Sequence, residues 1–163
     1  MRNLARAIVL LLALGLSGAV LAGPLEDAHA AYLKQDYTTA LRLYRQLADQ
    51  GNAHAQLNLG SMYDVGQGVP QDYAQAVKWY RLAADQGDAW AQIMLGGMYE
   101  LGQGVPKDDV EAHKWHNLSA ARASADDAYL RDLAVKSRDR VAMRMTPAQV
   151  AEAQKRAGEW RPK

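Results

Sequence analysis

Between Asn52 and Gly66 apolar side chains fall at Ala55, Leu59, Met62 and Tyr63, the i, i+4, i+7, i+8 spacing of one helical face. The same spacing returns at Ala91, Leu95, Met98 and Tyr99, between Asp88 and Gly102. Asn52 and Asp88 are N-cap residue types, and Gly66 and Gly102 tolerate the left-handed backbone past a helix end. Each segment is followed by Gly-Gln-Gly-Val-Pro and then by a second helical pattern, starting at Asp72 or Asp108. Gln75 and Glu111, three residues on, complete the capping-box spacing. The chain is therefore predicted to fold as helical hairpins.

The hairpins repeat at an offset of 36 residues: Ala48 to Asp72 recurs from Ala84 to Asp108, and the match continues through Ala76/Ala112 and Trp79/Trp115. It also reaches backward, since Asp36, Tyr37, Ala40 and Tyr44 stand 36 residues before Asp72, Tyr73, Ala76 and Tyr80. Gly60 and Gly96 lie inside helices, where Gly costs about 1 kcal/mol relative to Ala. Close approach of a neighbouring helix is the expected compensation, with Ala76 and Ala112 as the matching small surface. The unit at 23–47 lacks the Gly-Gln-Gly-Val-Pro loop and reads as a partial repeat. Full repeats are expected at 48–83 and 84–119. After Ser119 the pattern stops, and residues 120–163 are read as one long helix, Ser124 to Arg144, with Leu130, Leu133, Ala134 and Val141 inward, plus a capping helix. That last helix starts at Thr146-Pro147 and aligns Val150, Ala153, Ala157 and Trp160 on one stripe.

The pattern Ala-x-x-Gly-x-Ala-x-Ala-Gln-x-x-Leu-Gly-x-Met-Tyr-x-x-Gly-x-Gly-Val-Pro-x-Asp-x-x-x-Ala-x-x-Trp, present twice, resembles the Sel1-like repeat, a relative of the tetratricopeptide repeat. The tail from Arg138-Asp139 through Met145-Thr146-Pro147 to Gln154 is similar to that of exported bacterial Sel1-like proteins. The resemblance implies an all-α, right-handed α/α solenoid of hairpins, closed by a C-terminal capping helix, that binds other proteins.

Ahead of the first unit, Arg2 and Arg6 precede an apolar stretch from Ala7 to Leu16 and small residues ending at Val20-Leu21-Ala22. This is the three-part layout of a signal peptide at 1–22, interrupted by Gly15, Ser17 and Gly18 and too short to be read as a membrane span. It predicts a periplasmic or secreted protein with no stable membrane insertion after cleavage. Gly23 at the first position after cleavage argues against lipidation. The 19 Lys+Arg against 18 Asp+Glu among 163 residues give a net charge of +1, which excludes a basic nucleic-acid arm as the organising feature. The segment from Arg122 to Lys163 is the basic end, with 10 Lys+Arg against 6 Asp+Glu. No cysteine is present, which excludes disulfides, thiol nucleophiles and Cys-based zinc sites.

Catalytic patterns are missing: there is no His-Glu-x-x-His, no Ser-x-x-Lys and no strand followed by a phosphate-binding glycine loop. Gly66-Gln67-Gly68 and Gly102-Gln103-Gly104 follow helices and read as turns. His113 and His116 stand at i, i+3 and could share a metal with Glu111 or His29, but they occupy the places of Val77 and Tyr80 in the repeat and read as drifted scaffold positions. Neither a metal nor another cofactor is expected. Some cysteine-rich Sel1-like proteins have been linked to penicillin binding or β-lactam hydrolysis, and the absence of cysteine sets this chain apart from them.

The expectation is a non-catalytic scaffold for another protein or peptide. A cell-envelope hydrolase or penicillin-binding protein, and a binder of anionic envelope glycans, are the alternatives. Candidate partner-binding residues are those that differ between the repeats on the face of the first helices expected to line the concave side of the solenoid: His54, Asn58, Ser61, Trp90, Met94 and Gly97. Trp90 is either an exposed anchor or packed under the long helix. Lys136, Arg140 and Arg144 form an i, i+4, i+8 basic stripe, read either as a solvated, partly paired face or as a site for an anionic partner.

Overall fold

The computed structural model describes residues 23–163, so the leader read at 1–22 lies outside the described residues. Among these, eight α-helices follow one another with no strand between them: α1 Pro24–Leu33, α2 Tyr37–Asp49, α3 Ala53–Val65, α4 Tyr73–Asp85, α5 Ala89–Leu101, α6 Asp109–Arg122, α7 Ala128–Ala142 and α8 Pro147–Glu159. Each helix from α1 to α6 packs on the next. That is the stacking of an α/α solenoid, where a hairpin that cannot bury its apolar face alone does so against its neighbour.

The helix ends follow the sequence. Asn52 Oδ1 accepts the Ala55 N–H at 2.9 Å and Asp88 Oδ1 that of Ala91 at 2.8 Å, each such cap contributing about 1 kcal/mol. Gly66 and Gly102 close α3 and α5 with φ of 74° and 71°. The capping boxes predicted at Asp72 and Asp108 form only by half: the aspartates cap Gln75 N and Glu111 N, while the Glu111 carboxylate is held by Lys114, Trp115 Nε1 and Arg156. The full box forms at Thr146 and Gln149.

Ala55, Leu59 and Met62 close on Ala40, Tyr44 and Trp79, and Ala91, Leu95 and Met98 close on Ala76, Tyr80 and Trp115. Gln56 and Gln92 can be buried because each donates Nε2 to a carbonyl in the last turn of the preceding helix, Ala48 O and Ala84 O, both at 3.1 Å, which also accepts the N–H of Gly51 or Gly87. Gly60 and Gly96 do mark close approaches, but chiefly to rings and not to the alanine methyls. A Cβ at Gly60 would lie 2.7 Å from the Tyr80 ring and 3.3 Å from Ala76 O, and one at Gly96 would lie 2.6 Å from the His116 ring.

The long helix begins later than predicted. Ser124 to Asp127 form a turn, and Asp127 Oδ1 caps α7 through Leu130 N at 2.9 Å. Leu130, Ala134 and Val141 are buried as expected, and Leu133 partly so. Helix α8 packs on α6. Beyond α8, Trp160 meets Trp115 edge-on with ring centroids 6.4 Å apart, Arg122 lies over the Trp160 ring, and Lys163 returns to bond Asp85 through both its backbone N and its Nζ.

Candidate interaction surface

Helices α3, α5 and α7 present matching rows when counted from their N-caps Asn52, Asp88 and Asp127. The second residue of each is His54, Trp90 and Tyr129; the sixth is Asn58, Met94 and Leu133; the ninth is Ser61, Gly97 and Lys136. Second, sixth and ninth residues share one helical face, so the six residues singled out from the repeats sit together, and α7 extends their rows. Helix α7 continues the series of first helices although its sequence has lost the repeat pattern. Its Arg131 even bonds Ala123 O at 3.2 Å, as Gln92 bonds Ala84 O.

One side-chain contact links each pair of neighbouring first helices on this face. Asn58 Nδ2 lies 3.3 Å from His29 Nε2. His54 Nδ1 lies 3.1 Å from Asp88 Oδ2, and Trp90 Nε1 donates to Asp127 Oδ2 at 3.2 Å. His54 and Trp90 thus differ in identity yet each reaches, through a ring nitrogen, the aspartate capping the next first helix. Their variation between repeats does not make them free of structural constraint. The Trp90 indole is partly buried against the cluster of Ile93, Ala123, Leu130 and Ala134, and stands 6.3 Å from the Tyr129 ring at an interplanar angle of 30°. Its placement is intermediate between the two foreseen. The rest of the face is open: Met94 is 37% exposed, the His54 side chain is 69% exposed, and no heavy atom lies within 4 Å of a Cβ built on Gly97.

The basic stripe is committed to contacts within the molecule. Arg140 makes a two-pronged contact to Glu100 at 2.9 and 3.0 Å. Arg144 pairs with Asp109 at 2.9 Å and with Glu100 at 3.2 Å, and Lys136 with Asp132 at 2.7 Å. The two arginine contacts tie α7 and the turn after it to α5 and α6, the Lys136 pair stays within α7, and each cation of the stripe faces a carboxylate. Burial acts to raise the pKa of Glu100, but hydrogen bonds and charge from Arg140 and Arg144 outweigh it and hold the carboxyl down to about 2.

His113 and His116 are buried. His116 Nε2 lies 3.5 Å from Glu100 Oε2, and His116 Nδ1 and His113 Nδ1 have no hydrogen-bond partner among the described residues. Burial pushes His116 down to about 4 against the pull of Glu100, and it also lowers His113, aided by Arg138. In the preceding repeat the same site holds Tyr80, whose hydroxyl donates to Asp64 at 3.1 Å. Histidine with glutamate has replaced tyrosine with aspartate at one packing site. Among the described residues no group of three or more His, Asp and Glu is placed to hold a metal ion, and no helix is long and apolar enough to cross a membrane.

Three residues of this region escaped the sequence reading. Tyr129 and Asp127 belong to α7 and its cap, where the repeat that would have flagged them is gone, and no local pattern marks Glu100. The one available hint was Asp127 itself, a capping residue type directly ahead of an apolar pattern.

The stacked hairpins and the aligned first-helix face define an all-α helical repeat solenoid. The Sel1 repeat family matches residues 28–52, 53–88 and 91–124, and the chain belongs to that family. Sel1 repeats generally serve as protein–protein interaction scaffolds, and the fold is typically non-catalytic. Among solved structures the chain is similar to a protective antigen of uropathogenic Escherichia coli that displays an SLR fold, with 28% identity, a TM-score of 0.75 and 87% of this chain covered. The match spans only 30% of that antigen's chain. A Sel1 repeat protein from Oxalobacter formigenes is 34% identical with a TM-score of 0.59, over 74% of this chain and 86% of its own. No curated protein matches the chain.

Proposed function

We propose that the protein is a non-catalytic adaptor of the cell envelope that captures another protein on its first-helix face. The observation that carries this reading is the division of labour within each first helix. Ala55, Leu59 and Met62, like Ala91, Leu95 and Met98, are buried in the hairpin cores. Asn58, Met94 and Gly97 sit on the adjoining face, outside those cores, and Gly97 leaves open space, while Ser61 beside them turns its hydroxyl to Tyr80. Such a face is a surface built by the scaffold and available to a partner. The signal-peptide layout of residues 1–22 supports export to the periplasm. An anionic-glycan site on the stripe is disfavoured because Glu100, Asp109 and Asp132 already face its three cations.

Crosslinking in intact cells, followed by mass spectrometry of the purified adducts, tests the reading. A discrete protein adduct recovered from the periplasmic fraction is the expected result. Acylation by a labelled β-lactam, or muropeptide release by the purified protein, would overturn it in favour of an envelope enzyme.

A further inference from the structure

At the C-terminal half of the first-helix face, Trp90 of α5 adjoins Tyr129 and Leu133 of α7, and Met94 stands one turn further along the same face of α5. Trp90 and Leu133 are partly buried on the shared cluster of Ile93, Leu130 and Ala134, so their positions are fixed from beneath. Tyr129, 71% exposed, and Met94, 37% exposed, are two of the large apolar side chains the described molecule leaves in water. The Trp90 and Tyr129 rings form one tilted pair, so two aromatic surfaces stand side by side for a partner to cover.

The charge beside this platform has a sign. Asp126, Asp127 and Asp132 surround the first turn of α7. Two cations share the region, and neither neutralises Asp126 or Asp127: Lys136 pairs with Asp132, and Arg131 turns its guanidinium to the carbonyls of Ala123 and Ser124. Asp127 receives only neutral donors, Leu130 N and Trp90 Nε1. Asp126 has no ion-pair partner among the described residues. Aromatic surface open to solvent next to carboxylates that no side-chain cation pairs suits a cation carried on an apolar stem.

We infer that this platform is the anchor subsite for a basic, apolar peptide segment of the partner protein, with an apolar side chain against Trp90 and Met94 and a Lys or Arg laid over Tyr129 toward Asp126 and Asp127. The inference rests on the protein-capture reading and adds to it the position of the anchor and the chemistry of the ligand.

The test uses two labelled synthetic peptides of about ten residues, enough to cross neighbouring first helices at roughly 3.4 Å per residue. One alternates Leu with Lys and the other Leu with Glu. Anisotropy titrations of the purified protein should show the Lys peptide binding more tightly. Tyr129→Ala should weaken that binding by about tenfold, as truncation of an interface anchor does. Met94→Ala and Asp126→Asn should weaken it in the same direction, with thermal unfolding close to that of the parent. Leu82→Ala, an exposed apolar change on α4, should leave it unchanged. Equal or tighter binding of the Glu peptide would overturn the inference, and so would insensitivity to both Tyr129→Ala and Met94→Ala. If that happened while cellular crosslinking still yielded a protein adduct, the scaffold reading would stand and only the platform would fall. Absence of both would remove the two together.

Discussion

Glycines that look alike in the repeat have opposite roles. Gly60 and Gly96 admit a ring that a methyl would strike, and a Cβ at Gly104 would lie 2.3 Å from Tyr73 O on a residue with φ of 68°. Gly97, inside α5 beside Gly96, faces open space. Gly97→Ala should therefore raise stability by about 0.5–1 kcal/mol, the helix-propensity difference, and Gly60→Ala should lower it despite the same propensity gain. Urea unfolding of both variants checks this contrast; two changes of equal sign would contradict the packing described. Gly60 and Gly96 were legible as helix interiors from the 36-residue repeat. The identity of what approaches Gly96 was not, because a lone histidine in a drifted repeat gives no sign of which helix it packs on.

The terminal elements are held by two devices, one ionic and one aromatic. Glu100 joins α5 to α7 through Arg140 and Arg144, and His116 sits beneath it, buried and neutral at pH 7. The folded chain holds His116 near 4 against an ordinary value of 6.5, so the unfolded chain binds a proton that the folded one refuses. Stability accordingly declines as pH drops from about 6.5 to about 4. Glu100 is held near 2 against an ordinary 4.5, so its contribution is full above about 4.5 and is lost as pH falls toward 2. Urea midpoints should decrease through both windows, and His116→Tyr, which restores the residue found at position 80, should flatten the upper one. A midpoint that rises on acidification would contradict the arrangement. The aromatic device is the α8 cap, where Ala153 and Ala157 are buried and Trp160 packs on Trp115. A chain ending at Met145 should expose the apolar side of α6, lower the melting temperature and aggregate, as measured by light scattering on heating; an equally stable, soluble product would refute a capping role. The apolar stripe of α8 was readable from its spacing. Its return to α6, and the closure of the tail on Asp85, was not, because no local pattern specifies which surface a last helix covers.

Across the whole molecule, repetition made the solenoid readable and its loss hid the rest. Asn52 and Asp88, Gly66 and Gly102, Leu59 and Leu95 each appear twice in register, so chance resemblance at one position is corrected by the other. The basic stripe of Lys136, Arg140 and Arg144 was visible as a spacing, but its partners Glu100 and Asp109 lie 35 to 44 residues away on other helices, beyond the reach of a periodicity argument. Tyr129 became part of the face only once α7 was seen to continue the first-helix rows.

If the protein works as proposed, the first-helix face is where it meets its partner. Photo-crosslinking residues placed singly at Asn58, Met94 and Tyr129, and on second helices at Arg42, Lys78 and Lys155, measure it most directly in living cells. All six positions carry exposed or half-exposed side chains, so labelling is not limited by burial. One common protein adduct is expected from Asn58, Met94 and Tyr129, and none from the second-helix positions. The same adduct appearing from Arg42, Lys78 and Lys155 alone would contradict it.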